Sequence, residues 1–337
     1  MPHAPFVHLR VQTAFSMLEG AMRPDEIAKA CAAHAMPAVA ITDRDVMFGV
    51  MEAADALSTR GVQPIIGCLL SIARPQGAGV DSLTLLAQSP AGYDALSRLV
   101  SRAHLDVDPH QPPHVTLEAL AGATDGVLCL TGGGEGALAR LLADGQVTAA
   151  QAYLAHLQAA FPMRLYIELT RTGTALEAAS DAALIDLAYT QGLPLVATNP
   201  VQFQSPDFLA AHDAMLCISA SRYVEEADRP RSNPECWFKA PDAMAALFAD
   251  VPEAIANTLV IAQRCAVSPP KRKPILPRFS ADGDEAGALA NMAREGLARR
   301  LRSVSGDHQA YRDRLEFELS VITQMGFPGY FLIVADF

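Results

Sequence analysis

The chain has 337 residues, half of them hydrophobic, a length and composition that allow a large buried core and two domains. No window approaches 18 uncharged apolar residues, which excludes a membrane-spanning helix, and no charged start followed by a long apolar run marks a secretory signal. The net charge of −11 is uneven: residues 1–270 carry sixteen Lys/Arg against twenty-eight Asp/Glu, residues 271–337 ten against nine, so the first block is a poor surface for phosphate backbones.

In chain order, the first 200 residues alternate short apolar runs with amphipathic stretches. Strands are predicted at Val7–Val11, Ala38–Thr42, Pro64–Ile72, Leu83–Ala87, Val127–Thr131, Leu165–Leu169 and Pro194–Thr198. Helices are predicted at Pro24–Ala35, Met47–Arg60, Gly92–His104, Gly136–Ala143, Thr148–Phe161 and Thr174–Gln191. Pro24 with Asp25 and Glu26 behind it marks a helix start. "AVAIT" and "LPLVA" are continuous apolar runs, as strands buried on both faces should be. This alternation predicts a parallel sheet with helical crossovers, closed or nearly closed as a barrel, with an open doubly wound sheet as the alternative. "TGGGEG" (131–136) lacks the Lys and Ser/Thr of a phosphate loop and reads as a tight turn.

Beyond residue 205 helices dominate, at Asp207–Cys217, Pro241–Phe248 and Val251–Cys265. The Pro- and Lys/Arg-rich "SPPKRKPILPRF" (268–279) reads as a linker, and its Lys271–Pro274 stretch is the expected source of any weak DNA binding. Helices follow at Asp284–Arg302 and Asp307–Met325, and the apolar ending "MGFPGYFLIVADF" reads as a cut through a longer protein. The six cysteines form no C-x-x-C pair and read as buried reduced thiols of a cytoplasmic protein.

In a barrel of this kind the working face lies at the C-terminal strand ends. Those positions hold Arg10, Gln12, Asp43, Arg44, Leu69, Gly132, Gly133, Glu168, Arg171, Asn199 and Gln202, with Ser82 at a strand entrance. They contain no His-x-His, no paired carboxylates and no Ser-His couple.

"FVHLRVQTAFSMLEGA", "PAVAITDRDVMFGV", "PIIGCLLSI", "RLYIELTRTG", "GLPLVATN", "LFADVPEAIANTLVIAQRC" and "QMGFPGYFLIVADF" occur in that order, and together the chain resembles the start of the bacterial replicative DNA polymerase III alpha subunits, the C-family polymerases. The resemblance implies an α/β fold: a distorted (β/α)7 barrel over residues 1–270, the polymerase-and-histidinol-phosphatase (PHP) domain. A mainly helical segment over 271–337 would then hold a linker and the opening of the polymerase palm.

Metal-binding members carry a trinuclear site at the strand ends. Here the resemblance places Arg10 and Gln12 at the family's His-x-His, Glu19 at its acidic ligand, and Arg44 at the His after "ITD". Leu69, Ser82 and Gly133 take three further ligand positions, and Pro200 and Gln202 the closing Asp-x-His. Only Glu19 remains a ligand type, too little for a cluster whose ions each want about four to six donors. The implied reading is a metal-free PHP domain, without a cofactor or catalytic residue of its own in residues 1–337, that buttresses the polymerase and docks a proofreading exonuclease subunit and other replicase subunits. Primer-template DNA and magnesium would belong to the rest of the longer protein, and no membrane is involved. The alternatives are an error-prone C-family relative and a free-standing PHP-type metal phosphoesterase. With the metals gone, Arg10 is expected to pair with Asp43 or Glu19.

Overall fold

The structure is a computed structural model that describes residues 3–74, 79–272, 277–279 and 283–337. It forms two compact units, Met1–Pro270 and Lys271–Phe337. Lys273 and Pro274 of the basic linker lie outside the described residues.

The first unit is built on β1 (Ala38–Ile41), β2 (Gln63–Ala73), β3 (Val80–Ala87), β4 (Val127–Leu130), β5 (Leu165–Thr170) and β6 (Leu195–Thr198), joined in that order in one curled sheet. Helices α1 (Pro24–Ala33), α2 (Val50–Thr59), α3 (Pro90–Leu105), α4 (Ala137–Ala143), α5 (Val147–Ala160) and α6 (Ala175–Gln191) lie in the connections. Their starts follow the local chemistry. The Glu26 carboxylate accepts the Arg23 N–H at 2.8 Å, and Thr174 and Glu177 cap each other at the head of α6.

The expected all-parallel sheet needs correction. β3 runs antiparallel to both β2 and β4. Only six residues separate β2 from β3, too few for a helical crossover, so the chain turns straight back. The predicted strand Val7–Val11 also differs, making single bridges rather than a ladder. Val11 bridges Ile41 on one side and Val201 on the other, both parallel. At this point the Val11 N–H turns to the Thr42 hydroxyl (3.0 Å) while the Val11 carbonyl accepts the Thr42 N–H (2.8 Å). Arg10 and Gln12 bond the backbone of Val201. Residues 7–12 therefore join the two edges of the sheet.

The period of two along each strand divides its side chains between two cores. Ile167, Leu169, Leu85 and Ala197 face the helix layer. Tyr166, Leu86 and Val196 face inward with Val7, Leu9, Ala40 and Ile65, and α9 (Pro252–Arg264) supplies Ile261 and Ala262 to the same cluster. Two residues further along β5, the same alternation carries Glu168 to the inner side, toward the mouth. α7 (Leu209–Ser219) and α8 (Pro241–Leu247) complete the unit. All six cysteines are free and buried.

The second unit contains α10 (Glu285–Leu301), α11 (Gln309–Gln324) and α12 (Pro328–Asp336) around Leu289, Leu319 and Leu332. Among the described residues no single helix is long and apolar enough to cross a membrane; α11 and α12 pass that test only as a pair bent by 113°.

Candidate functional site

At the mouth of the curled sheet a cavity of about 350 Å³ is lined by residues that include Arg10, Glu19, Arg44, Glu135, Pro200 and Gln202. Arg10 is the largest fully buried side chain of the unit, 1% exposed. Its Nη1 donates to the Gly132 carbonyl (3.1 Å) and lies 3.6 Å from Glu168 Oε1. Its Nη2 lies 2.7 Å from Glu135 Oε1, an ion pair off the hydrogen-bond line, and Nε has no hydrogen-bond partner.

The expected partners of Arg10 are thereby corrected. Asp43 is buried but meets hydroxyl and amide donors instead: the Thr13 N–H at 2.6 Å, the Thr13 hydroxyl at 2.9 Å and the Ser16 hydroxyl at 2.7 Å. These bonds favour its charge, but burial outweighs them and pushes the carboxyl above its ordinary range. Glu19 is taken by Arg44 Nε at 2.8 Å and by Gln12 Nε2 at 2.8 Å.

Arg44 is the second hub. Its Nη2 donates to Glu135 Oε2 (2.8 Å) and its Nη1 to the Ser82 hydroxyl (3.1 Å). Glu135 thus bridges both guanidinium groups. Burial opposes its charge, but Arg10 and Arg44 prevail and hold its carboxyl down at about 2. Burial likewise opposes the charge of Arg44, and Glu135 and Glu19 reverse the balance, so its proton is held more tightly than in a free arginine. Gln202 donates to Gln12 (3.0 Å), extending the chain of contacts to the closing segment.

The "TGGGEG" turn presents this arrangement. Gly132, at φ +89°, offers its carbonyl to Arg10 and its N–H to Glu168 (2.8 Å), and a Cβ there would meet the Ser82 carbonyl at 2.0 Å. Glu168 also accepts from Thr84 (3.2 Å) and Thr198 (2.6 Å). The turn thus bonds side chains of its own protein. Gly133 is buried against Thr170, and Leu69 is fully buried beside Arg44. Arg171 leaves the mouth and pairs with Asp181 (2.9 Å) and Asp250 (2.6 Å).

Sequence reasoning missed Glu135 and left Glu168 as one strand end among many. The available signal for Glu168 was a carboxylate inside the apolar run "LYIELT", which needs a buried partner.

A family model described as the PHP domain matches residues 8–172, and one described as the bacterial DNA polymerase III alpha NTPase domain matches residues 287–337. The DNA polymerase III subunit alpha of Caulobacter vibrioides is 46% identical over 342 residues, 98% of this chain and 30% of that protein. Those of Pseudomonas aeruginosa and Escherichia coli K12 are each 36% identical, over 98% and 100% of this chain. The chain belongs to the DNA polymerase III alpha family. It spans about 30% of the length of these relatives and corresponds to their N-terminal, PHP-bearing part.

The residues present do not fit the metal cluster of PHP phosphoesterases. Guanidinium groups stand at the mouth, and among the described residues no group of three or more His, Cys, Asp or Glu is arranged to hold an ion.

Proposed function

We propose that this chain is the N-terminal part of a replicative DNA polymerase that extends a primer by phosphoryl transfer, and that its PHP mouth is a structural joint without chemistry of its own. The observation supporting the second half is the ladder Arg10–Glu135–Arg44–Glu19 across the mouth, in which Arg10, Arg44 and Glu19 stand where the resemblance places the ligands of metal-binding members. Two arginines, charged at any ordinary pH, occupy the carboxylates Glu19 and Glu135 that a cation would need. The polymerase half rests on the similarity along essentially the whole chain. On this reading magnesium and primer-template DNA are handled by the longer protein. The first unit buttresses the polymerase in the cytoplasm and serves as a docking surface for a proofreading exonuclease and other replicase subunits. Residues 1–337 alone turn over neither DNA nor phosphoesters.

The test pairs two assays. The full-length gene product should extend a primed template with Mg²⁺. The 337-residue chain should release no phosphate from p-nitrophenyl phosphate, and no nucleotide from a 3′ end, with Mn²⁺ or Zn²⁺ added. Failure of extension overturns the polymerase reading; metal-dependent hydrolysis that Arg44→Ala changes overturns the structural reading of the mouth.

A further inference from the structure

The mouth cavity carries no net positive charge to recruit a ligand, because Glu19, Glu135 and Glu177 balance Arg10, Arg44 and Arg231. The second unit differs. Between α10 and α11 lies a cleft of about 440 Å³ lined by Arg294, Arg302, His308, Arg312 and Glu316 over Leu297, Leu301 and Leu315. Glu316 neutralises Arg294 in a two-pronged contact of 2.7 Å on each prong. His308 gives its Nε2 to the Val304 carbonyl. The side chains of Arg302 and Arg312 make no hydrogen bond or ion pair among the described residues. Two unpaired guanidinium groups therefore face one cleft, whose three arginines outnumber its one carboxylate by two.

We infer that this cleft is a contact site for single-stranded DNA, with Arg302 and Arg312 on successive phosphates. Three observations favour DNA over an acidic peptide. Tyr311, 52% exposed, stands on α11 one helical turn before Leu315, a residue of the cleft, and offers a ring on which a base can stack. Phe317 on the same helix is exposed and already carries Arg314 over its ring at 5.6 Å, so α11 interleaves aromatic and basic side chains. Within the chain, the strongly acidic residues 1–270 leave residues 271–337 as the block tolerant of phosphate. The inference deepens the polymerase reading and rests on it, naming a place for DNA on this part of the protein.

The experiment is fluorescence anisotropy of a labelled oligothymidylate with the 337-residue chain, repeated over a range of NaCl. Both arginines are exposed and unpaired, so Arg302→Gln/Arg312→Gln should melt like the parent. Each phosphate contact on a single strand contributes about 0.7 to the slope of log affinity against log salt, so losing two should flatten it by about 1.4 and weaken binding about 25-fold near 0.1 M salt. Tyr311→Ala should weaken binding at all salt concentrations with the slope unchanged. A charge-matched control, Arg98→Gln/Arg102→Gln in α3, should bind as the parent. No binding by the parent, equal loss in cleft and control variants, or loss only on replacing Lys271 and Arg272 would each overturn the inference. So would displacement of the DNA by polyglutamate at the same charge concentration. Primer extension by the full-length protein is read separately, so a cleft that fails this test leaves the polymerase reading standing on its own assay.

Discussion

Replacing Arg10 by methionine keeps most of the buried stem and removes the charge. The guanidinium lies 3.6 Å from Glu168, which is fully buried, and 2.7 Å from Glu135, whose side chain is 41% exposed. At an effective dielectric of about 20 the Glu168 attraction is roughly 4–5 kcal/mol before desolvation. Solvent reaches Glu135 and screens its share to about 1 kcal/mol or less. Glu168 retains its contacts to Thr84, Gly132 and Thr198 but becomes a buried carboxylate without a cation. Arg10→Met should therefore destabilise the first unit by about 3–5 kcal/mol, on the order of 10 °C in Tm for a unit of this size. The sole tryptophan, Trp237, lies in this unit, so urea titration followed by its fluorescence reads the barrel directly. Adding Glu168→Gln should restore part of the loss, with a coupling of about 1–3 kcal/mol. An Arg10→Met chain within about 1 kcal/mol of the parent, or a strictly additive double variant, would refute the reasoning.

Four other outcomes are expected. His8 is buried between Phe6 and Phe238, donates Nε2–H to the Lys239 carbonyl, and leaves Nδ1 without a partner; burial lowers its pKa to about 4. The unfolded chain takes up that proton near pH 6.5, so stability should fall by roughly 3 kcal/mol as pH drops from about 6.5 to about 4, and His8→Gln should flatten that limb of a urea-midpoint profile. Glu135, held at about 2 in the fold, contributes stability that is present above its ordinary value of 4.5 and lost as pH falls toward 2, so Glu135→Gln should lower stability at pH 7 and remove the acid loss in that window. Gly132→Ala drives a Cβ into the Ser82 carbonyl at a positive φ and should cost about 2–4 kcal/mol by the same titration. In addition, the chain dialysed after incubation with Zn²⁺, Mn²⁺ or Fe²⁺ should retain no stoichiometric metal by elemental analysis.

What the sequence determined by itself was local or additive. The apolar runs at 38–42, 64–72, 127–131 and 165–169 and the capped helices between them lie close to β1, β2, β4, β5 and α1–α6, because hydrophobic period and first-turn chemistry act over a few residues. The arginine and glutamine donors at 10, 12, 44 and 202 were equally legible, since a side chain's donor type does not depend on the fold. Pairing and partner choice were not. The antiparallel turn of β3 is decided by which edge it finds, and the ring closes at Val11 because Val201 arrives from nearly two hundred residues away. The partner of Arg10 was misjudged for the same reason. Asp43 lies just past the end of β1 but already has four contacts from Thr13 and Ser16. Glu135 comes from a glycine turn and Glu168 from β5, well over a hundred residues further along the chain. A buried guanidinium pairs with the carboxylates that the fold brings against it, and only the folded chain sets which those are.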